Sequence, residues 1–203
     1  MFFVVPVHAA DEQACRLPVT SDPRLEELLK ADPDDPLIDI SSDSGDLARS
    51  GDAELSGNVQ IRMGQRLLTA DEARVNAEKR SIVVSGRTGY LDPTVRVTGE
   101  GGSFAGGSGE FKGARFELVD GSGRGAARSA QLRNETRLDL EGVRFTVCPP
   151  GNDDWQLRAD SISLDQKSST GTGRNVRLDF LGVPILYTPW ISFPVGDTRK
   201  SGL

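Results

Sequence analysis

Alternation of apolar and polar residues, broken by glycine-rich turns about every ten residues, constrains this chain more than any other feature. The cleanest run is Asn175-Val176-Arg177-Leu178-Asp179-Phe180. In an extended chain Val176, Leu178 and Phe180 point to one side, and Arg177 and Asp179 to the other. Shorter runs of the same kind fall at 57–62, 66–70, 74–77, 81–84, 94–97, 110–112, 115–118, 136–140, 143–147, 154–158 and 161–164. With 23 glycines in 203 residues and few helical patterns, the spacing predicts an all-β sandwich or jelly roll.

The segment before these strands reads differently. Residues 1–10 look like the back half of a secretory signal: a short apolar run, then small residues ending at Ala9-Ala10, then the acidic start at Asp11. The basic segment that opens such signals is missing, which leaves the true start codon open. The run is too short to span a bilayer, which takes roughly 20 apolar residues. Residues 11–40 form a leader that carries Cys15. In it, Asp22-Pro23-Arg24-Leu25-Glu26-Glu27-Leu28-Leu29-Lys30 predicts a helix of about two turns, with Asp22 as its cap and proline in the first turn. The acidic Asp32-Pro33-Asp34-Asp35-Pro36 lacks the glycine and terminal glutamate of a calcium loop and reads as solvated linker.

Several chemistries find no support. The only histidine, His8, lies in the signal-like segment, so the rest of the chain has no histidine base or histidine metal ligand. No phosphate-cradling loop or nucleophile elbow occurs. Gly121-Ser122-Gly123-Arg124-Gly125-Ala126 fits a loose dinucleotide pattern, but in a β context with no helix behind it. Asp139 with Glu141 could form an acid–base pair, although surface charge is the commoner reason for such spacing. Asn134-Glu135-Thr136 is a formal sequon. The formal net charge of −6 argues against nucleic acid, whose phosphates require a basic surface. No catalytic residue, metal site or cofactor is indicated. Cys15 and Cys148 belong to no metal or redox motif and read as structural cysteines, free to pair with each other or each elsewhere.

A weak repeat is visible. Leu68-Thr69-Ala70-Asp71 and Leu157-Arg158-Ala159-Asp160 share a leucine, a spacer and Ala-Asp, and 104–111 reads as a degraded copy. The segment 183–203 is apolar and aromatic but interrupted by Pro184, Pro189 and Pro194, and proline cannot donate to a sheet ladder. It reads as a bent connector, with the sequence stopping as a new strand could begin.

Taken together, the Ala-Asp strand units, the segment from Cys148-Pro149-Pro150-Gly151 to Trp155, and the closing run from Pro184 through Tyr187, Pro189, Trp190, Phe193 and Pro194 to Lys200-Ser201-Gly202 resemble the LptD (OstA) family of lipopolysaccharide-assembly proteins. The resemblance implies an OstA/LptA-like β-jelly roll of two splayed antiparallel sheets at 41–182, behind a short helical or disordered leader. Residues 183–203 would be a proline-rich hinge to an outer-membrane β-barrel that lies outside this sequence. It implies lipopolysaccharide as ligand, the periplasmic bridge protein LptA as partner by edge-strand addition near Leu55 to Arg62, and the lipoprotein LptE as partner through the barrel. It also implies export to the periplasmic face of the outer membrane. Cys15 and Cys148 match the family's N-terminal cysteines, which bond to cysteines of the barrel; without those, pairing with each other is the remaining option within the chain.

Burying a lipid acyl chain of about a dozen carbons is worth roughly 0.8 kcal/mol per methylene, so a carrier must offer a dry groove. The candidate lining is Ile61, Leu67, Val84, Val97, Phe116, Leu118, Leu138, Leu140, Phe145, Trp155, Leu157, Ile162, Leu178 and Phe180. A free-standing bridge protein of the LptA type would predict the same groove and leave 183–203 unexplained. A glycan-active sandwich enzyme would need a carboxylate pair in a cleft.

Overall fold

The computed structural model describes residues 15, 22–33, 35, 37–133, 136–165 and 167–195. The signal-like segment, the sequon's Asn134 and Glu135, and 196–203 lie outside these residues. One short helix, α1 (Pro23–Leu28), precedes twelve strands: β1 (Ile38–Ser41), β2 (Ser44–Leu47), β3 (Ala53–Met63), β4 (Arg66–Asn76), β5 (Ser81–Leu91), β6 (Val95–Ala105), β7 (Ser108–Leu118), β8 (Arg124–Arg133), β9 (Arg137–Thr146), β10 (Trp155–Asp165), β11 (Thr170–Phe180) and β12 (Val183–Pro194). All pair antiparallel with their sequence neighbours from β3 onwards, while β1 and β2 side by side pair with the two halves of β3. The all-β expectation holds, with a refinement. The strands form a single sheet rather than two, and each long strand is bent at its middle.

The bend has a chemical signature. Residues in the left-handed region recur mid-strand at Gly57, Asn58, Gly86, Gly113, Gly142 and Asn175. Opposite each stands a charged residue of the preceding strand or turn. Asn58 Nδ2 donates to Asp43 (2.8 Å), the Arg87 backbone N–H to Asp71 (2.9 Å) and Asn175 Nδ2 to Asp160 (2.7 Å). Glu100 lies over Gly113, and the Arg128 guanidinium over Gly142. The motif therefore returns once every second strand. This is the physical form of the Ala-Asp repeat: Asp71 and Asp160 are equivalent, and their other copies are Asp43, Glu100 and Arg128. The 104–111 segment is instead the hairpin between β6 and β7.

At the bend the inward positions step by three residues rather than two, except in β3 and β5, where the step is four, from Leu55 to Val59 and from Val84 to Thr88. Ala70 and Ala73 are both buried, as are Phe111 and Ala114, and Leu140 and Val143. Two consecutive residues then face outward, and the apolar face stays on the same side past the bend. The result is one sheet creased along its width, with its two halves packed on each other. One cluster joins Val59, Ile61 and Ala70 from before the crease with Ala73 and Val84 from beyond it. A second joins Val143, Ala159 and Val176 with Leu140. Small residues at the crease, Ala70, Ala114, Ala127 and Ala159, let the halves approach.

Three expectations are corrected. The segment 183–194 is not a bent connector but the edge strand β12, paired along β11. Its prolines are accommodated at special places: Pro184 at the register shift after Leu178, Pro189 beside the left-handed Asn175, and Pro194 at the strand end. The fold does not begin at 41 either, because α1 packs on the sheet through Leu28 and β1 lies within the former leader. Finally, Leu55 to Arg62 is not a free edge. It belongs to β3, covered by β1 and β2 on one side and β4 on the other. The helix itself is as predicted, with the Asp22 carboxylate accepting from the Arg24 backbone N–H at 2.9 Å.

Candidate functional site

The register of the strands aligns apolar residues into rows. In an antiparallel pair, residues directly opposite share a face. One row runs Ile40, Ile61, Leu68, Tyr90, Val97, Phe116, Gly125, Phe145, Leu157, Leu178 and Leu186, one residue from every strand except β2. Beyond the crease a second row runs Leu55, Ala73, Val84, Gly102, Phe111, Ala130, Leu140, Ile162, Gly173 and Ile191. Both rows lie on the concave side, since residues of each contribute to the two clusters that bridge the crease.

Aromatic rings and glycines shape this face. Phe116 and Phe145 stack with centroids 6.4 Å apart, on either side of Gly125. A Cβ at Gly99 would meet the Phe111 ring at 2.7 Å, and one at Gly109 the Phe104 ring at 2.5 Å. Glycine beneath a ring lets the ring lie close against the sheet. At the end of the face Trp155 and Phe180 sit 4.4 Å apart, each more than a third exposed. Tyr90 is the one phenol in the first row. Burial, with the Asp92 carboxylate that accepts its hydroxyl proton at 3.0 Å, drives its pKa upward, so it stays neutral.

The candidate lining residues all share this concave face except one. Leu67 points the other way. It sits under α1 with Leu28 and Leu91 on the convex side, where Arg96 also meets Asp22 at 2.7 Å. Leu67 and Leu68 are both apolar, and only the register tells which of them faces in. Leu68, with Leu55, Ile82, Phe104, Phe111 and Val143, is a concave-face residue that the sequence reading missed; its β-period was visible, but the one-residue slip at the crease was not. Two open depressions, of about 280 and 480 Å³, flank α1 and are lined chiefly by convex-face residues such as Arg62, Leu67, Thr69, Arg96 and Arg115.

The polar candidates resolve as structural. Burial raises the Asp139 pKa, but the Ser163 hydroxyl (2.6 Å), the Arg137 hydrogen bond and the charges of Arg137 and Arg133 outweigh it and hold the carboxyl low. Asp139 and Glu141 point outward on β9, so they do not converge on a cleft. No group of acidic, cysteine or histidine residues among the described residues is arranged to hold a metal. Cys15 and Cys148 are joined as a disulfide. The Cys148 turn is fixed from below: Arg124 donates to the carbonyls of Cys148 (2.8 Å), Pro149 (3.0 Å) and Asn152 (3.1 Å).

Residues 39–170 match the family model described as LptA/(LptD N-terminal domain) LPS transport protein. The chain belongs to this family. Among curated members, LPS-assembly protein LptD of Saccharophagus degradans is 34% identical over 83% of this chain, and that of Thiobacillus denitrificans 32% identical over 81%. The matched part is 20% and 23% of those proteins' own lengths, so the chain spans about a fifth to a quarter of these relatives. The family match covers the strands from β1 to the start of β11, the part that carries both apolar rows. The crystal structure of LptH, the periplasmic LptA homologue from Pseudomonas aeruginosa, aligns over 67% of this chain at 16% identity with a TM-score of 0.26, too loose a superposition to carry any argument.

Proposed function

We propose that the concave face of the creased sheet carries the acyl chains of lipopolysaccharide across an aqueous compartment. The observation behind this reading is the unbroken apolar row from Ile40 to Leu186, which reaches both edges of the sheet. A core that served packing alone would have no reason to continue to the exposed edge strands. Lipid chains sliding along such a row exchange one apolar contact for the next without passing through water. Membership of an LPS transport family supports the choice of lipid. In this reading the protein works at the periplasmic face of the outer membrane. A bridge protein of the LptA type would add to the free edge of β1 and β2, main chain to main chain. The far edge, β12, would pass lipid to a barrel of the LptD type, with which an LptE-type lipoprotein would associate.

A photo-crosslinking amino acid at Phe116 or Leu157 should capture lipopolysaccharide, and one at the convex Thr98 should not. Equal capture from both faces would sink the assignment. A second test is Phe116→Asp, which places a charge in the half-buried centre of the row and should block capture while the fold persists.

A further inference from the structure

The convex face of the first half-sheet is divided in two. Across β3 to β6 it carries α1 and an uncharged row, Gln60, Thr69, Gly89 and Thr98. Where the helix ends, the same row continues as Arg115, Ala126, Arg144, Arg158 and Arg177, and closes on Tyr187 of β12. Arg144, Arg158 and Arg177 are directly opposite one another on three adjacent strands, an arrangement of like charges that weakens a sheet. Its internal compensation is a single buried carboxylate. Asp179 lies 3.1 Å from Arg158 Nε and 2.8 Å from Arg177 Nε, the latter a charge contact rather than an aligned hydrogen bond. Of the other acids on this face, Glu117 pairs with Arg96 and Asp153 with Arg124, Asp160 accepts from Asn175, and Glu100 lies at the crease over Gly113. Arg144 and Arg115 are exposed and carry no acidic partner among the described residues. In a chain of net charge −6, a row of arginines kept at a cost to the sheet points outward to an anion.

The shape of the surface narrows the choice of anion. The row is convex and spans four strand spacings, about 19 Å at roughly 4.8 Å per strand, so it cannot close around one small phosphate. Its margin is aromatic. On β12, Tyr187 stands opposite Arg177 and Trp190 opposite Arg174, both on the convex side and both well over half exposed. Tyrosine and tryptophan next to arginine is the composition of surfaces that sit at a lipid headgroup layer. We propose that Arg115, Arg144, Arg158 and Arg177, bordered by Tyr187 and Trp190, form a docking surface for an anionic phospholipid bilayer. This surface lies on the opposite side of the sheet from the lipid-carrying face and does not depend on that reading.

The test uses the purified chain and sedimentation with vesicles of phosphatidylglycerol or of phosphatidylcholine alone. Binding to the anionic vesicles only, weakening as salt rises, is expected. The Arg115→Glu, Arg144→Glu double variant should bind at least about thirtyfold more weakly, from the loss of two arginines near a charged surface. In a Trp155→Phe background the emission of Trp190 should shift to the blue on vesicle addition. The concave-face variant Ile162→Asp should bind vesicles as the parent does. If the double variant loses its circular dichroism signal, Arg144→Gln takes its place, with an expected loss of about fivefold. Equal binding to neutral vesicles, no binding to either, parent-like binding by the folded arginine variant, or loss of binding in Ile162→Asp would each overturn the proposal.

Discussion

The two edges of the sheet are built from opposite materials. The leading edge consists of two four-residue strands, Ile38–Ser41 and Ser44–Leu47, interrupted at Asp43 and carrying Asp39 and Asp46. The trailing edge is one strand of twelve residues, Val183–Pro194, which exposes Ile185, Leu186, Tyr187 and Trp190 and lacks three backbone donors at its prolines. A short polar edge with its N–H and C=O groups intact accepts a strand readily. A long apolar edge interrupted by proline resists strand addition and offers side-chain area instead. A sheet finished in these two ways accepts different neighbours at its two ends, and so has a direction.

That contrast can be broken by truncation. Removing 183–195 strips β11 of its partner and uncovers Val176 and Leu178. It should lower stability in urea unfolding by on the order of 5 kcal/mol. Removing 37–47 uncovers only β3 and should lower it by about 1–2 kcal/mol. Equal losses would mean that the trailing strand is no more integral than the leading pair.

The next largest effect concerns the crease that both edges share. Gly86 has φ of 78°, and a Cβ there would meet the Asp71 carboxylate at 2.5 Å. Gly86→Val should cost about 2–3 kcal/mol, read from the thermal midpoint. A loss near zero would show that the crease does not require the left-handed backbone.

Acid should act on the leading side first. Burial pushes the Asp22 pKa up, but the Arg24 hydrogen bonds and the Arg24 and Arg96 charges prevail and leave it below 3.8. A carboxyl lowered on folding contributes stability that is present above its unfolded pKa and is lost as pH falls through its folded pKa. The amides of α1 should therefore exchange hydrogen faster as pH drops below about 4, after correction for intrinsic rates, while those of β11 and β12 keep their protection. Unchanged relative protection of α1 in acid would show that Asp22 does not hold it. The smallest expected change is Trp190→Ser, which should move stability by no more than about 0.5 kcal/mol, since the side chain is 58% exposed. A large loss would reveal that the trailing edge is braced by its aromatic surface.

The period of the strands and the cap of α1 were legible from residues 22–30 and 57–180, because alternation and N-capping are local properties. The crease was not. A step of three between Leu140 and Val143 looks in sequence like an irregular strand, and only the register shows the same step on every neighbour. Leu67 was placed on the wrong face for a related reason: next to Leu68, it makes alternation ambiguous. Strands β1 and β2 were obscured by polarity, since Asp39, Ser41, Ser44 and Asp46 resemble a linker until paired with β3. The proline run misled in the other direction. Proline excludes a central strand but permits an edge strand, and the distinction depends on what lies on the far side of β12.

The bend motif carries a consequence for how such a sheet can change its length. A charged residue on one strand faces a left-handed residue on the next, and the pairing recurs only after two strands. Inserting a single strand would set charge against charge, or glycine against glycine, and flatten the fold at that point. Inserting or deleting a hairpin keeps every corner matched. Growth of this architecture is therefore quantised, and relatives with wider or narrower sheets should differ by even numbers of strands.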